Sequence, residues 1–268
     1  MFKYFDHHNN LIFSLGLVWQ LTRRNIQIRY RGSVLGIFWS LVTPVLMLAM
    51  YTFVFGTILE LRWTDQEGGN PEFATILFSG LIVHAYFSEC LNVSVDLIPS
   101  NRQYVKKVVF PLSSLTLIVI LTALFQMIVS TGVLLLYLVI VERALPWTII
   151  CIPILFFPLM VMALGFSWII SSSAVYFRDL GQLVGLITLA LLFISPVFYE
   201  TSRLPKVIQP WLYANPITWI IESIRGLLFQ GRIPNVFEYL IYLGVAIIVS
   251  ILGLLWFQKL RPGFSDVI

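Results

Sequence analysis

His84, Glu89 and Asp96 are the residues from which chemistry inside this chain would be built, because they interrupt an otherwise apolar stretch from Phe73 to about Ile98. Ionisable side chains are costly inside a bilayer, so they mark either a function or a partner. Glu89 and Asp96 stand seven residues apart, close to two helical turns, and so share a helix face. Two readings fit. In one, the three residues form a proton or cation relay. In the other, Asp96 sits at the water boundary and Glu89 is neutral or paired against a neighbouring helix. The machinery of other chemistries is thin. No lysine follows a glycine, which excludes the GxxxxGK[ST] loop that cradles ATP phosphates. GxSxG, HExxH and DxD are absent, and the histidines are His7, His8 and His84. Cys90 and Cys151 lie in apolar stretches without CxxC spacing, and are read as packing residues. An enzyme acting outside the membrane would have only Glu200, Glu222 and Arg225 to converge, and Glu222 and Arg225, at i and i+3, fit a local ion pair.

Membrane helices have to position these residues. Of the 268 residues, 59% are hydrophobic and 11% charged. A typical soluble domain has roughly 25% charged residues, so a water-soluble globule is excluded. Val34 to Leu59 carry no charge, and Arg23, Arg24, Arg29 and Arg31 stand just before them. About 20 apolar residues cross a bilayer, and Lys and Arg gather on the cytoplasmic side. An acidic connector from Glu60 to Glu72 reads as an outside loop, and Phe73 to about Ile98 forms a second span. The basic segment Pro99 to Pro111 returns to the cytoplasm. Val108 to Val141 and Ala144 to Phe177 are charge-free runs separated only by Glu142 and Arg143, a membrane hairpin with its tip outside. Both exceed one bilayer thickness, which tilt or extension beyond the membrane absorbs. After a cytoplasmic turn at Arg178 and Asp179, Leu180 to Tyr199 supplies a fifth span ending at Ser195-Pro196, and Tyr239 to Gln258 supplies the last. Between them, Pro205, Pro210, Pro216 and Pro234 divide pieces too short to cross. Val207 to Tyr213 and Ile217 to Phe229 are expected to be re-entrant, which is tolerated where protein or a water-filled cavity shields the backbone.

Charge parity tests this six-span topology. Lys3, Arg23, Arg24, Arg29, Arg31, Arg102, Lys106, Lys107, Arg178, Lys259 and Arg261 fall inside, 11 cations against 6 outside, which favours both termini in the cytoplasm. The net charge of +4 is explained by the same bias, and no basic stripe interleaved with aromatics points to nucleic acid. The start, MFKYFDHHNN, lacks the features of a signal peptide, so the first span is expected to remain in the mature protein. No internal repeat of the kind common in secondary transporters is visible.

Three further patterns have two readings each. Leu11, Leu15, Val18 and Trp19 at i, i+4, i+7 and i+8 fit an amphipathic helix on the cytoplasmic membrane surface, or a plain extension of the first span. Pro99 and Pro111 bracket room for two or three helical turns, either a rigid helix presenting Arg102, Tyr104, Lys106 and Lys107 to a partner, or a basic loop. Aromatic rings in the first span (Phe38, Trp39, Tyr51, Phe53, Phe55) and near the outer end of the fifth (Phe193, Phe198, Tyr199) suit sugar rings sliding past, and equally suit the lipid headgroup boundary.

RYRGSVLGIFWSLVTPVLMLAMYTFVFG (Arg29 to Gly56), KKVVFP (Lys106 to Pro111), YFRDL (Tyr176 to Leu180), SPVFY (Ser195 to Tyr199) and NPIT (Asn215 to Thr218) run in order over nearly the whole chain. Together they resemble the membrane subunit of type-2 ABC exporters, and within it most closely the polysaccharide permeases that export O-antigen, capsule or teichoic acid. The resemblance implies an all-α membrane protein of six transmembrane helices in the bacterial inner membrane. Residues 1–33 would form the N-terminal region with an interface helix, 34–258 the transmembrane domain, and 259–268 a cytoplasmic tail. It implies a homodimer joined to two copies of an ABC ATPase that bind ATP and Mg, this chain holding no cofactor, and a lipid-linked polysaccharide as substrate. Arg102, Gln103, Tyr104, Lys106 and Lys107 would belong to a coupling helix at about 99–110. Trp39, Tyr51, Phe55, Phe198 and Tyr199 would line the path, and Pro210, Trp211, Asn215, Pro216 and Arg225 the outer gate at about 200–235. O-antigen is the first reading and teichoic acid or capsule the second. A proton-coupled secondary transporter, which would need His84 or Glu89 to titrate, and a membrane glycosyltransferase or ligase are the rival classes.

Overall fold

The computed structural model describes residues 8–60, 73–105, 111–141, 145–177, 179–201, 204–207 and 209–267, and among them every regular element is helical. The protein is an all-α membrane protein. Five helical stretches are long and apolar enough to cross a membrane: Gly36–Ile58, Phe73–Val95, Ser113–Val141, Trp147–Ser173 and Val236–Gly263, with Leu180–Ile194 as a shorter sixth. We name the α-helices in chain order: α1 (His8–Arg29), α2 (Trp39–Tyr51), α3 (Phe73–Val95), α4 (Leu97–Ser100), α5 (Arg102–Val105), α6 (Ser113–Val141), α7 (Ile152–Ser173), α8 (Leu180–Ile194), α9 (Gln209–Tyr213), α10 (Thr218–Phe229), α11 (Val236–Leu260) and α12 (Phe264–Val267). The first crossing is composite, opening with a 3-10 turn at Gly36–Phe38 and closing with a π-helix at Thr52–Ile58.

The second crossing is the hub. Of its most apolar stretch 72% is buried within the protein, against 11% in the first crossing and 22% in the third and last. α3 packs against α2, α6, α7, α8 and α10. Its Leu77, Val83, Phe87 and Cys90 lie in a core with Leu134, Leu159, Ala163, Ile217 and Ile221. A second core gathers Val18, Ile98, Leu115, Trp168, Phe257 and Phe264 at the opposite end of the bundle, so the two described ends of the chain meet there. This is the geometry an even number of crossings requires.

α11 packs chiefly on α7, and small residues allow it. A Cβ on Gly253 would run into the Gly165 carbonyl, and a Cβ on Gly165 would stand 2.7 Å from the Val249 carbonyl oxygen. With lipid tails as apolar as leucine, close backbone approach of this kind drives helix association in place of the hydrophobic effect.

Three elements depart from expectation. The N-terminal helix runs on to Arg29, with Val18 and Thr22 buried and Trp19 65% exposed. Packing on α6 selects Val18 and, one turn on, Thr22, whose hydroxyl is satisfied by the Val18 carbonyl (2.8 Å). The fifth crossing is helical over 15 residues, because the chain leaves the helix at Ser195, whose backbone is extended (ψ 152°) ahead of Pro196. The segment after α3 breaks at Asp96 into α4 and α5, four residues each. Lys106 and Lys107 lie outside the described residues.

Candidate functional site

At the α10 end, two of the sequence markers meet in space. Asn215, in the turn before α10, uses its side-chain oxygen to accept from the Ile217 N–H (3.1 Å) and its amide to donate to the Ser195 hydroxyl (2.8 Å). Ser195 in turn donates to the Leu191 carbonyl. Asparagine suits this place because it can close a local turn and still offer a donor. Arg225, one side of α10, is 8% exposed and reaches the same segment: it donates to the carbonyls of Pro196 and Val197 (2.8 Å to the latter) and, through Nε and Nη2, to Ile76 (3.3 and 3.2 Å) near the start of α3. Burial lowers its pKa, and Glu222 and Glu200 push the other way. Gly80 makes room, since a Cβ there would stand 3.0 Å from Nη2. One guanidinium thus ties α3, the end of α8 and α10 together, and Glu222 accepts from the Tyr213 hydroxyl (2.9 Å). The other residues expected at the outer gate differ in kind. Pro210 and Trp211 are exposed on α9, Trp211 by 76%, while Pro216 is half-buried and its carbonyl accepts from Tyr242 (2.7 Å).

In the middle of the bundle, His84, Ser88 and Asn92 form a stripe at i, i+4 and i+8 along α3, facing α8. His84 Nε2 lies 2.9 Å from the Thr188 carbonyl and 3.1 Å from the Ser88 hydroxyl. The carbonyl can only accept, so we place the imidazole proton on Nε2 there. Asn92 donates to the Thr188 hydroxyl (3.2 Å) and the Ser88 carbonyl (2.8 Å) and remains exposed. A polar seam therefore runs between the second and fifth crossings. Of its members the sequence singled out only His84, and the missing signal was the period of four that links Ser88 and Asn92 to it.

Towards the opposite end, the Arg29 guanidinium pairs with Glu89. Glu89 is thus paired against a neighbouring helix, and Asp96 is exposed where α3 ends. Beside the pair, Tyr30 donates to Gln126 Oε1 (2.9 Å), and Gln126 donates to the Ser40 carbonyl (3.0 Å). Arg29 and Tyr30, the start of the first marker, so fasten the end of α1 to α3, α6 and α2. Gln126 is the polar residue that a long uncharged run made easy to overlook.

The expected path rings are divided. Tyr51 and Phe55 pack at tilted angles against each other (6.2 Å between centroids) and against Phe78 and Phe73 of α3 (6.4 and 5.5 Å), and both are half-buried. Trp39 is 39% exposed. Phe198 stacks on Phe193 (5.9 Å), and the Tyr199 hydroxyl is turned back onto the Ile194 carbonyl (2.6 Å). On the segment expected to couple, Leu97 and Ile98 are buried in the second core, and Tyr104 packs against it. Arg102 and Gln103 are exposed, with Arg102 Nε donating to the Pro99 carbonyl (3.3 Å). Among the described residues, no group of three or more His, Cys, Asp or Glu side chains comes together to hold a metal.

With this geometry in place, comparison with known proteins gives concordant findings. The family model described as ABC-2 type transporter matches residues 16–229. Two O-antigen export system permease proteins RfbA from Klebsiella pneumoniae are similar over 261 residues, 25% and 26% identical, covering 97% of this chain and 97% of each of them. The O-antigen export system permease protein RfbA of Myxococcus xanthus is 24% identical over 255 residues, covering 94% of this chain and 95% of that protein.

Proposed function

The chain belongs to the ABC-2 type transporter family, and from that premise we propose that it is the transmembrane subunit of an exporter that moves a lipid-linked polysaccharide of the O-antigen type across the bacterial cytoplasmic membrane. It works as a homodimer with two copies of an ABC ATPase, which bind ATP and Mg, while this chain carries no ATP site of its own. One observation carries the reading: similarity to O-antigen export permeases runs end to end, over 94–97% of the chain, rather than through one shared segment.

The geometry supports the division of labour. In this reading α5 faces the cytoplasm and meets the ATPase through Arg102 and Gln103, which are exposed, while the buried Leu97 and Ile98 anchor the segment next to α3. α2 and α8 flank α3 and expose large apolar faces, including Leu46, Met50, Leu186 and Phe193. A second copy of the chain covers part of that surface, and the seam of His84, Ser88 and Asn92 lines the path between the copies. A sugar polymer slides along such a surface because neutral hydrogen-bonding groups bind it weakly and repeatedly, and conduction requires binding weak enough to leave. α9 and α10 close the outer end, held by Arg225.

The test is export itself. Deleting the gene should abolish surface polysaccharide and leave its lipid-linked form facing the cytoplasm, with both restored by this chain together with its ATPase. Unchanged surface polysaccharide in the deletion strain would refute the reading.

A further inference from the structure

α10 and α11 splay apart over α7 and leave a cavity of about 760 Å³ at the α10 end of the bundle. That volume is within the range of about 300–1,000 Å³ typical of small-ligand sites. Its lining is part polar and part apolar. Glu222, Gln230, Arg232 and Glu238 stand at the polar end, and Phe166, Val245 and Val249 are apolar. Glu238, Ile241, Tyr242, Val245 and Val249 follow one face of α11, so the cavity extends about 16 Å along that helix at 1.5 Å per residue. This is a headgroup zone continued by a slot as long as much of one acyl chain.

The charges at the polar end specify the headgroup. Glu222 accepts from Tyr213, and Glu238 accepts from Trp219 Nε1 (3.1 Å). A carboxylate offers about four acceptor sites, so both keep capacity for a cation. Their joint field reaches Tyr213, whose hydroxyl is pushed up to about 12 by burial and then by Glu222 and Glu238. Trp219 lies stacked on Tyr242 (5.1 Å between centroids, 23°), a π surface that also favours an ammonium group. Arg232 is held in place by its backbone, whose N–H reaches the Gly226 carbonyl (2.9 Å) past Gly231 at φ +61°, and its guanidinium has no side-chain partner among the described residues. Two carboxylates and one guanidinium at a single apolar slot match a ligand with an ammonium, a phosphate and a chain.

We propose that this cavity is a binding site for a zwitterionic aminophospholipid of the surrounding leaflet, its ammonium on Glu222 and Glu238, its phosphate on Arg232 and one acyl chain lying along α11 towards Val249. The site lies against α7 and α11, whereas the polar seam lies between α3 and α8, so the bound lipid is a fixed component of the gate region and not polymer in transit. It wedges α10 against α11 and thereby sets how far the gate helix can move. The proposal needs the chain to sit in a membrane and is independent of what it exports.

The full chain is reconstituted in nanodiscs of phosphatidylglycerol with a small fraction of phosphatidylethanolamine carrying a photoreactive acyl chain, and in parallel with phosphatidylglycerol carrying the same chain. Adducts are mapped by peptide mass spectrometry. The expected result is an excess of about fivefold for the ethanolamine probe at Ile241, Val245 and Val249, the scale of one partly exposed ion pair. No such excess is expected at Ile248 and Leu252, which are on the same helix but do not line the cavity. The isosteric E222Q/E238Q variant still accepts from Tyr213 and Trp219, so it folds, and it should erase the excess. Equal labelling by the two probes, or a preference that survives in E222Q/E238Q, would overturn the proposal.

Discussion

Replacing Arg225 by methionine keeps length and apolar bulk and removes every donor from the knot at the α10 end. Two carbonyls then lose their partner, Pro196 and Val197. They lie in the turn after α8 with no ready substitute, whereas the Ile76 carbonyl keeps the Ser79 hydroxyl (2.7 Å). A hydrogen bond to a charged group contributes roughly 1.5–3 kcal/mol, and a buried acceptor left unmade costs about 1–3 kcal/mol. Two acceptors give about 2–6 kcal/mol, and water entering from the nearby surface brings the expected loss to the lower half, about 3 kcal/mol. On the scaling of domains of this size, that lowers the melting temperature by roughly 8 °C. Arg225→Lys keeps the charge but has a single nitrogen, which cannot span three carbonyls on two segments, so it should recover less than half. The assays are thermal unfolding of the purified permease and ion leak through proteoliposomes without ATP, which should rise as α10 comes loose from α3. A methionine variant with parental melting temperature and parental leak would refute the reasoning.

Other expectations follow from the same geometry. In a background lacking Cys90 and Cys151, Lys206→Cys should be labelled from outside the cell and Gln103→Cys only after the membrane is opened; the reverse pattern would invert the topology. Arg102→Glu with Gln103→Ala should lower ATPase association at least tenfold with normal membrane insertion, measured by co-purification, and unchanged association would remove α5 from the contact. Tyr104→Ala is the poorer probe, because Tyr104 also packs on the second core. Ser88→Leu with Asn92→Leu should slow polymer export severalfold while dimer yield holds, whereas Tyr51→Ala with Phe55→Ala should chiefly lower stability; the opposite ranking would return the path to the rings of the first crossing.

The crossings were legible because an uncharged run of bilayer length is a signal along one dimension, visible before any contact is known. Their ends were less so. Twenty uncharged residues from Leu180 suggested a full-length span, but hydropathy cannot report that Pro196 and Val197 leave the helix to offer carbonyls to Arg225. Arg225 itself is the clearest case. Its spacing from Glu222 suggested a neighbour one turn away, whereas its bond to Ile76 joins residues 149 apart in sequence. The family markers located the right segments, SPVFY and NPIT, without showing that Ser195 and Asn215 touch. Glu89 was legible as a choice between relay and pair, and Arg29, 60 residues earlier, decides it.

On the proposed function, the placement of polar residues on α3 bears on how force from an ATPase would reach the α10 end. α3 carries one contact at each level of the bundle: Glu89 to Arg29 near the α1 end, His84 to Thr188 in the middle, and Ile76 to Arg225 at the α10 end. A helix held at three levels to three different elements cannot shift along its axis without straining all of them together. A push on α5 enters this helix directly, through α4 and the break at Asp96, where the α4 residues Leu97 and Ile98 are already fixed in the second core. The first crossing and α8 share no principal contact with each other and each packs on α3, so a displacement of α3 acts on both at once. Opening by this route needs no relay of protons along His84 and Glu89. Their partners hold α3 in register, and the ionisable groups of the second crossing are best explained as attachments of a moving part.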